Sequence, residues 1–293
     1  MSADVSQGAL TSPRLVRQLL GQAGIRPRRA LGQNFLIDAN VLGIIEKAAG
    51  LSPSNTVIEV GAGLGALTQV LIDRCAKVYA LESDPRLSGI LEKELGAAEN
   101  LVLVHADAAR FDFGELQKGR ARGPVKMVAN LPYGIAATLI IDCLYNYPWI
   151  EEYTVMVQRE IAGRLTSEPG SKDYSAATVK VHSLARVKRV AKVSRNSFYP
   201  PPRVDSTLLH IELLDRPGLP EGDRAFFDTI VTAGFHQRRK KLATALSTSR
   251  STSLDREKVR GALATMGKDP DSRAEQLSSG EFVEISRMLE GRG

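Results

Sequence analysis

The chain has 293 residues, 43% of them apolar and 25% charged, which leaves room for one large domain and a small one and excludes a wholly disordered polymer. Its net charge of +6 makes an anionic partner plausible, although many basic proteins bind no nucleic acid. No run reaches the roughly 18 apolar residues of a membrane span; the longest, 135–150, is interrupted by Asp142, Asn146 and Pro148.

Cys75 and Cys143 have no metal-ligand spacing, so no metal site is expected, and they read as buried, reduced thiols. The first ten residues lack the basic start and apolar core of a secretion signal, and the reading is of a cytoplasmic protein. Residues 1–12 are small and polar and read as disordered. Residues 13–20 place Leu15, Val16, Leu19 and Leu20 on one helical face. An arginine-rich stretch, 26–29, leads into Gly32-Gln33-Asn34-Phe35-Leu36, and Asp38 stands as the N-cap of the next helix.

Residues 56–60 form the first clear strand and run into Gly61-Ala62-Gly63-Leu64-Gly65-Ala66, which opens a helix. Glycines there allow a tight turn and let backbone approach a ligand. Gly61, Gly63 and Ala66 fit a dinucleotide fingerprint; Glu59, Gly61, Gly63 and Gly65 equally fit the Glu-x-Gly-x-Gly-x-Gly pattern of S-adenosylmethionine enzymes. The next strand, 77–81, ends at Glu82, about 20 residues past the loop, where an acid can accept from both hydroxyls of a ribose. A third strand, 101–106, ends at Asp107. In methyltransferases an acid there accepts from the adenine amine of the cofactor; a capping role for the next segment is the plain alternative.

A fourth strand, 125–129, ends at Asn130-Leu131-Pro132-Tyr133. Pro132 fixes its own φ and holds Leu131 extended, so the Leu131 carbonyl has a defined direction. The Asn130 side-chain oxygen is a second acceptor. Two acceptors facing one amine draw on both its hydrogens and free its lone pair, while Tyr133 can stack on the ring that carries it. Glu59, Glu82, Asp107 and Asn130 thus mark four successive strand ends, a series more specific than any member.

Residues 136–144 read as a helix, 152–157 as a fifth strand, 158–165 as a partly basic helix, 167–173 as a loop and 174–184 as another helix. Residues 186–195 alternate Val187, Val190 and Val193 with Arg186, Lys188, Arg189, Lys192 and Arg195, as expected of an edge strand with a basic face, which also guards against aggregation. Pro200, Pro201 and Pro202 impose an extended connection, and 207–213 returns as a strand. Phe198 reads either as a second aromatic wall opposite Tyr133 or as core. A linker, 215–223, precedes four helices at 224–233, 239–246, 256–266 and 280–289; Arg238, Arg239, Lys240 and Lys241 are their most basic run. His236 reads as a phosphate or solvent contact.

The Asn-Leu-Pro-Tyr run resembles the signature of the ribosomal RNA adenine dimethyltransferases of the KsgA type. Gly-Gln-Asn-Phe-Leu at 32–36 and the Phe-x-Pro-x-Pro-x-Val-x-Ser frame from Phe198 to Ser206 match the same family, so the resemblance covers 32–206, with a helical domain after it. It implies an α/β, Rossmann-like, seven-stranded S-adenosylmethionine-dependent methyltransferase fold with a small C-terminal helical domain. The divisions are an N-terminal extension at 1–25, a catalytic domain at 26–214 and a helical RNA- or ribosome-binding domain at 215–293. It implies two methyl transfers from S-adenosylmethionine to N6 of each of two adjacent adenosines in small-subunit ribosomal RNA, on naked RNA or an assembling subunit, by a monomer. Asn130, Leu131, Tyr133 and Phe198 are the implied catalytic residues. Asn34, Leu36, Gly61, Glu82, Asp107 and Asn130 are those for the cofactor, Asn34 and Leu36 at its methionine end. Arg28, Arg29, Arg189, Lys192, Arg238, Arg239, Lys240 and Lys241 are expected at the RNA. Three rivals remain: the large-subunit enzyme of macrolide resistance, which usually has isoleucine where Leu131 stands; an NAD-dependent oxidoreductase; and a non-catalytic RNA-binding assembly factor.

Overall fold

The apolar runs read as central strands are buried on both faces, as strands covered by helices on each side must be. In the computed structural model, which describes residues 9–27, 32–215 and 218–291, the strands are β1 (Phe35–Leu36), β2 (Thr56–Val60), β3 (Lys77–Glu82), β4 (Leu101–His105), β5 (Val125–Asn130), β6 (Glu152–Gln158), β7 (Ala185–Val193), β8 (Phe198–Tyr199) and β9 (Ser206–Leu213). Seven form one sheet in the order β4-β3-β2-β5-β6-β9-β7. β4, β3, β2, β5 and β6 run parallel, and β9 joins β6 antiparallel, Glu152 opposite Glu212 and Gln158 opposite Ser206. β1 and β8 pair separately, Phe35 opposite Tyr199 and Leu36 opposite Phe198. The basic strand β7 takes a sheet edge, with Arg186, Lys188, Arg189 and Lys192 exposed.

The helices are α1 (Pro13–Gln22), α2 (Ala39–Ala49), α3 (Ala66–Arg74), α4 (Pro85–Leu95), α5 (Ala136–Asn146), α6 (Arg159–Leu165), α7 (Ala176–His182), α8 (Arg224–His236), α9 (Leu242–Thr248), α10 (Arg256–Thr265) and α11 (Ser279–Glu290). Asp38 caps α2 as expected, accepting from the Asn40 N–H at 3.0 Å. At the other end of α2, the buried Lys126 ammonium donates to the Ala49 carbonyl at 2.8 Å and pairs with Glu152 at 3.1 Å. A cation at a helix C-terminus complements its carbonyls, which is how this charge is tolerated inside.

Contacts divide the chain into two compact units. The first holds the described residues within Met1–Ala162 and Lys188–Glu212, the second those within Gly163–Val187 and Leu213–Gly293. In the first, Val16, Leu19 and Leu20 of α1 share a core cluster with Phe35, Leu64 and the α4 leucines Leu87, Leu91 and Leu95. Residues 9–12 were expected to be disordered; instead Ala9–Thr11 forms a 3-10 turn and Leu10 is 4% exposed, in the same cluster.

The second unit differs from a domain beginning at 215, because it also takes 163–187 from the middle of the sequence. The reason is local. The Tyr174 ring meets Phe235, which meets Phe282, and the Tyr174 hydroxyl donates to the Leu277 carbonyl at 2.9 Å. Lys180 of α7 pairs with Asp228 of α8 at 3.1 Å. Among the described residues no helix is long and apolar enough to cross a membrane.

Candidate active site

Because β4, β3, β2 and β5 are parallel, their C-terminal ends lie along one sheet edge, where α/β proteins bind ligands. The Glu82 carboxylate accepts the Gly63 N–H at Oε2 and the Asp84 N–H at Oε1, both at 2.9 Å. Those bonds fasten the glycine loop to the end of β3 and leave each oxygen a lone pair for a hydroxyl. Gly61 sits at φ +78°, and a Cβ there would lie 3.3 Å from Pro132 Cγ. Glycine thus meets two demands: left-handed backbone and close approach of the loop to the end of β5.

Asn34 and Asn130 converge beside that loop. Asn34 Nδ2 donates to the Gly32 carbonyl at 3.2 Å, and Asn130 Nδ2 donates to the Asn34 carbonyl at 3.3 Å. Both Oδ1 atoms are buried and have no hydrogen-bond partner among the described residues. A buried unsatisfied acceptor costs about 1–3 kcal/mol, and two such atoms side by side call for a partner such as water or a ligand. A recess of about 40 Å³ is lined by Leu10, Asn34, Leu36, Glu59, Gly61 and Asn130. Glu59 is 2% exposed, and its carboxyl accepts from the Thr68 hydroxyl at 2.6 Å. Burial, which outweighs that hydrogen bond and is reinforced by nearby Glu82, pushes its pKa up to about 8, so it is neutral at pH 7.

A wider cleft of about 710 Å³ adjoins the loop and is lined by Gly61, Asp84, Arg86, Asp107, Pro132 and Gly134. Asp107 accepts the Ala109 N–H at 3.0 Å, so it does cap the next turn, and its exposed carboxylate also faces the cleft. Asp84 ends the tight turn after β3; hydrogen bonds from Arg86 hold its carboxyl down at about 2.

Tyr133 is half-buried, its hydroxyl within 2.8 Å of Ser206 Oγ. Burial raises its pKa, so the ring is a fixed neutral platform rather than a base. Leu131 is buried, and its N–H donates to the Met156 carbonyl at 3.1 Å, anchoring the turn to β6. Phe198 lies differently from an open second wall. It is 2% exposed, sits opposite Leu36 in the β1–β8 pair and packs in a core cluster with Val41, Leu42 and Ile45. The physical reason is the pairing itself, which turns an aromatic strand residue into the core that supports Leu36.

Arg28 and Arg29 lie outside the described residues. Arg189 and Lys192 are exposed on β7. The other basic run divides. Arg238 pairs with Glu275 and donates to the carbonyls of Lys172 at 2.7 Å and Ser171 at 2.9 Å, and Lys241 pairs with Asp271 at 2.6 Å. Arg239 and Lys240 are exposed, with no ion pair among the described residues. Arg238→Ala is therefore expected to destabilise the chain by about 1–3 kcal/mol. Arg239→Ala and Lys240→Ala are expected to leave the melting temperature unchanged. Melting curves separate the two classes; equal Tm losses in all three would overturn the division.

Sequence comparison decides between the surviving readings. A family model described as "Ribosomal RNA adenine dimethylase" matches residues 24–290. The chain belongs to the ribosomal RNA adenine dimethylase family. Dimethylase relatives named "Ribosomal RNA small subunit methyltransferase A" include one from Moorella thermoacetica, 41% identical over 96% of this chain and 99% of that protein. Another, from Streptomyces avermitilis, is 38% identical over 97% and 95%. Among solved structures, a dimethyladenosine transferase from Plasmodium falciparum superposes with TM-score 0.69 at 24% identity, covering 85% of this chain and 95% of that one, which supports the fold. The 23S rRNA methyltransferase ErmE superposes with TM-score 0.65 at 28% identity, covering 88% and 100%. The seven-stranded Rossmann-like sheet with C-terminal helices is therefore the dimethylase fold, and the chain is a methyltransferase rather than a dinucleotide oxidoreductase. A methyltransferase family implies S-adenosylmethionine, and the cradle fits it: the orphan Asn34 amide oxygen, a glycine loop in left-handed backbone close against Pro132, and an acid at the end of β3.

Three residues escaped sequence reasoning. Gln33 and Asp84 bond the segment before β1 directly to the turn after β3, and Ser206 holds the Tyr133 hydroxyl. The Asp84-Pro85 pair was a legible signal, since aspartate followed by proline is an N-cap with proline at the first helical position.

Proposed function

We propose that the chain transfers methyl groups from S-adenosylmethionine to N6 of two adjacent adenosines in small-subunit ribosomal RNA, a modification linked to ribosome biogenesis. The observation that carries this reading is the buried Asn130 oxygen, unpartnered among the described residues, two residues before Pro132 and three before a fixed tyrosine. When bound, S-adenosylmethionine supplies an electrophilic sulfonium methyl group. The glycine loop, Glu82 and Asp107 hold the nucleoside part, and Asn34 with Leu36 closes on the methionine end.

Asn130 Oδ1 and the Leu131 carbonyl accept the two N–H groups of the target amine. Tyr133 stacks on the adenine, which must leave its helix to reach the site. No side chain is required as a strong base, because the amine becomes acidic as its nitrogen gains the methyl group. Catalysis then rests on alignment of nucleophile and methyl. Phe198 supports Leu36 from behind in this arrangement.

A one-base pocket cannot choose among many adenosines, so RNA shape and backbone contacts must. Arg189 and Lys192 on β7, and Arg239 and Lys240 in the helical unit, are exposed cations that suit that task. Small-subunit RNA is favoured over large-subunit RNA by the names of relatives at 36–41% identity, against 28% for ErmE, and by leucine at position 131. The test is incubation with labelled S-adenosylmethionine and undermethylated small and large ribosomal subunits, with the label mapped afterwards. Two neighbouring N6,N6-dimethyladenosines in the small-subunit RNA are expected; label confined to the large subunit, or no transfer, would overturn the reading.

A further inference from the structure

We infer that Gln33 and Asp84 form a latch that positions the cofactor site, tying the segment that carries Asn34 and Leu36 to the strand end that carries Glu82. The inference rests on the cofactor assignment above and adds a positioning pair that touches no reacting atom.

Asp84 is buried, and its two oxygens divide their work. Oδ1 accepts the Arg86 N–H at 3.0 Å, which caps α4, and Arg86 Nε at 3.0 Å. Oδ2 accepts Arg86 Nη2 at 2.7 Å and, from 51 positions away, Gln33 Nε2 at 3.1 Å. The Asp84 N–H in turn donates to Glu82 Oε1, whose companion oxygen accepts the Gly63 N–H. One unbroken chain of hydrogen bonds therefore runs Gln33–Asp84–Glu82–Gly63. It joins the loop before β1, the turn after β3 and the glycine loop. The sheet needs none of these side-chain bonds, and capping needs only Oδ1, so the bond to Gln33 is free to serve position alone.

The same segment is held from a second side. Asn130 Nδ2 donates to the Asn34 carbonyl, and a Cβ on Gly32 would lie 3.3 Å from the Tyr133 nitrogen. With both anchors in place, the unpartnered oxygens of Asn34 and Asn130 keep a fixed relation to each other and to Glu82. With the Gln33 anchor lost, the Asn34 oxygen can drift from the recess while β1 and the sheet remain. Sites held by supporting hydrogen bonds lose function when that support loosens by about 1 Å.

Polarity makes the latch testable. Gln33→Glu sets a carboxylate against the Asp84 carboxylate, and cofactor affinity by calorimetry is expected to fall roughly tenfold or more, the size of a lost hydrogen bond to a charged group. The kinetic loss is expected to fall mainly on KM for S-adenosylmethionine. Adding Asp84→Asn keeps the capping oxygen and offers an amide donor to the introduced carboxylate, which takes over from the lost Oδ2 as acceptor for Arg86 Nη2. The double variant is expected to recover to within about threefold of the parent, which a general folding defect would not do. Parent-like affinity in Gln33→Glu, or a double variant no better than the single one, overturns the latch while leaving the methyltransferase reading intact. A parent that binds no S-adenosylmethionine overturns both.

Discussion

Asn130→Ala is expected to lower methyl transfer at saturating cofactor by about two to three orders of magnitude, the usual scale for removing one preorganised polar group from a reacting centre. S-adenosylmethionine affinity is expected to fall no more than roughly tenfold. The two effects separate because the side chain has two ends. Its Nδ2 steadies the Asn34 carbonyl at 3.3 Å, and its Oδ1 is buried without a partner. Losing the first loosens one wall of the recess beside the glycine loop, while in the proposed mechanism Glu82, Asp107 and that loop still hold the nucleoside. Losing the second removes an acceptor that only the target amine can satisfy in the proposed mechanism. Single-turnover transfer and calorimetry measure the two separately. Near-parental turnover would reject the role of the amide oxygen, and complete loss of cofactor binding would make Asn130 a cofactor residue first.

Glu59→Gln is expected to stabilise the cofactor-free chain at alkaline pH and to flatten its stability profile. The folded carboxyl has a pKa near 8 against an ordinary 4.5. Below pH 4.5 both folded and unfolded chains carry the proton, and the favourable burial of a neutral carboxyl is fully present. Between 4.5 and 8 the folded chain keeps a proton that the unfolded chain has released, so stability falls as pH rises and the loss is complete above 8. The interval corresponds to on the order of 3–5 kcal/mol. Glutamine stays neutral throughout and can still accept from Thr68, so its advantage over the parent grows through that window. Asp84, held down at about 2, titrates below it. Urea unfolding of both chains at pH 5 and pH 8.5 measures the difference; parallel profiles would mean that Glu59 ionises normally.

The strands were legible because burial on both faces leaves unbroken apolar runs, and each ended where a polar residue interrupted the run. That one signal located Glu82 and Asn130, and set Asp107 just past the end of β4. The start of α4 is carried by Asp84-Pro85 alone, an N-cap followed by proline at the first helical position, with no long apolar run to announce it. The two roles of Phe198 could not be separated in sequence, since an aromatic beside a ligand and an aromatic in a core have the same spelling. Only the pairing with Leu36 distinguishes them. The basic run at 238–241 illustrates another limit: four adjacent cations look alike until their acceptors, Ser171, Lys172, Glu275 and Asp271, are brought near by the fold. The grouping of 163–187 with the C-terminal helices was hidden for the same reason, as its partners are distant in sequence.

The split origin of the helical unit has a consequence for how the protein is made. The Tyr174 hydroxyl and its acceptor carbonyl at Leu277 are 103 positions apart. At roughly 5–20 residues per second, a growing chain carries this tyrosine for on the order of 5–20 s before its acceptor exists. The buried α7 residues Val179 and Val181 likewise wait for α8 and α11, the helices α7 packs against. A nascent chain therefore holds an uncovered greasy segment in mid-sequence until almost its last helix emerges. A chain cut short after β9 would keep that segment uncovered permanently, and its tendency to aggregate would originate in the middle of the sequence, far from the cut.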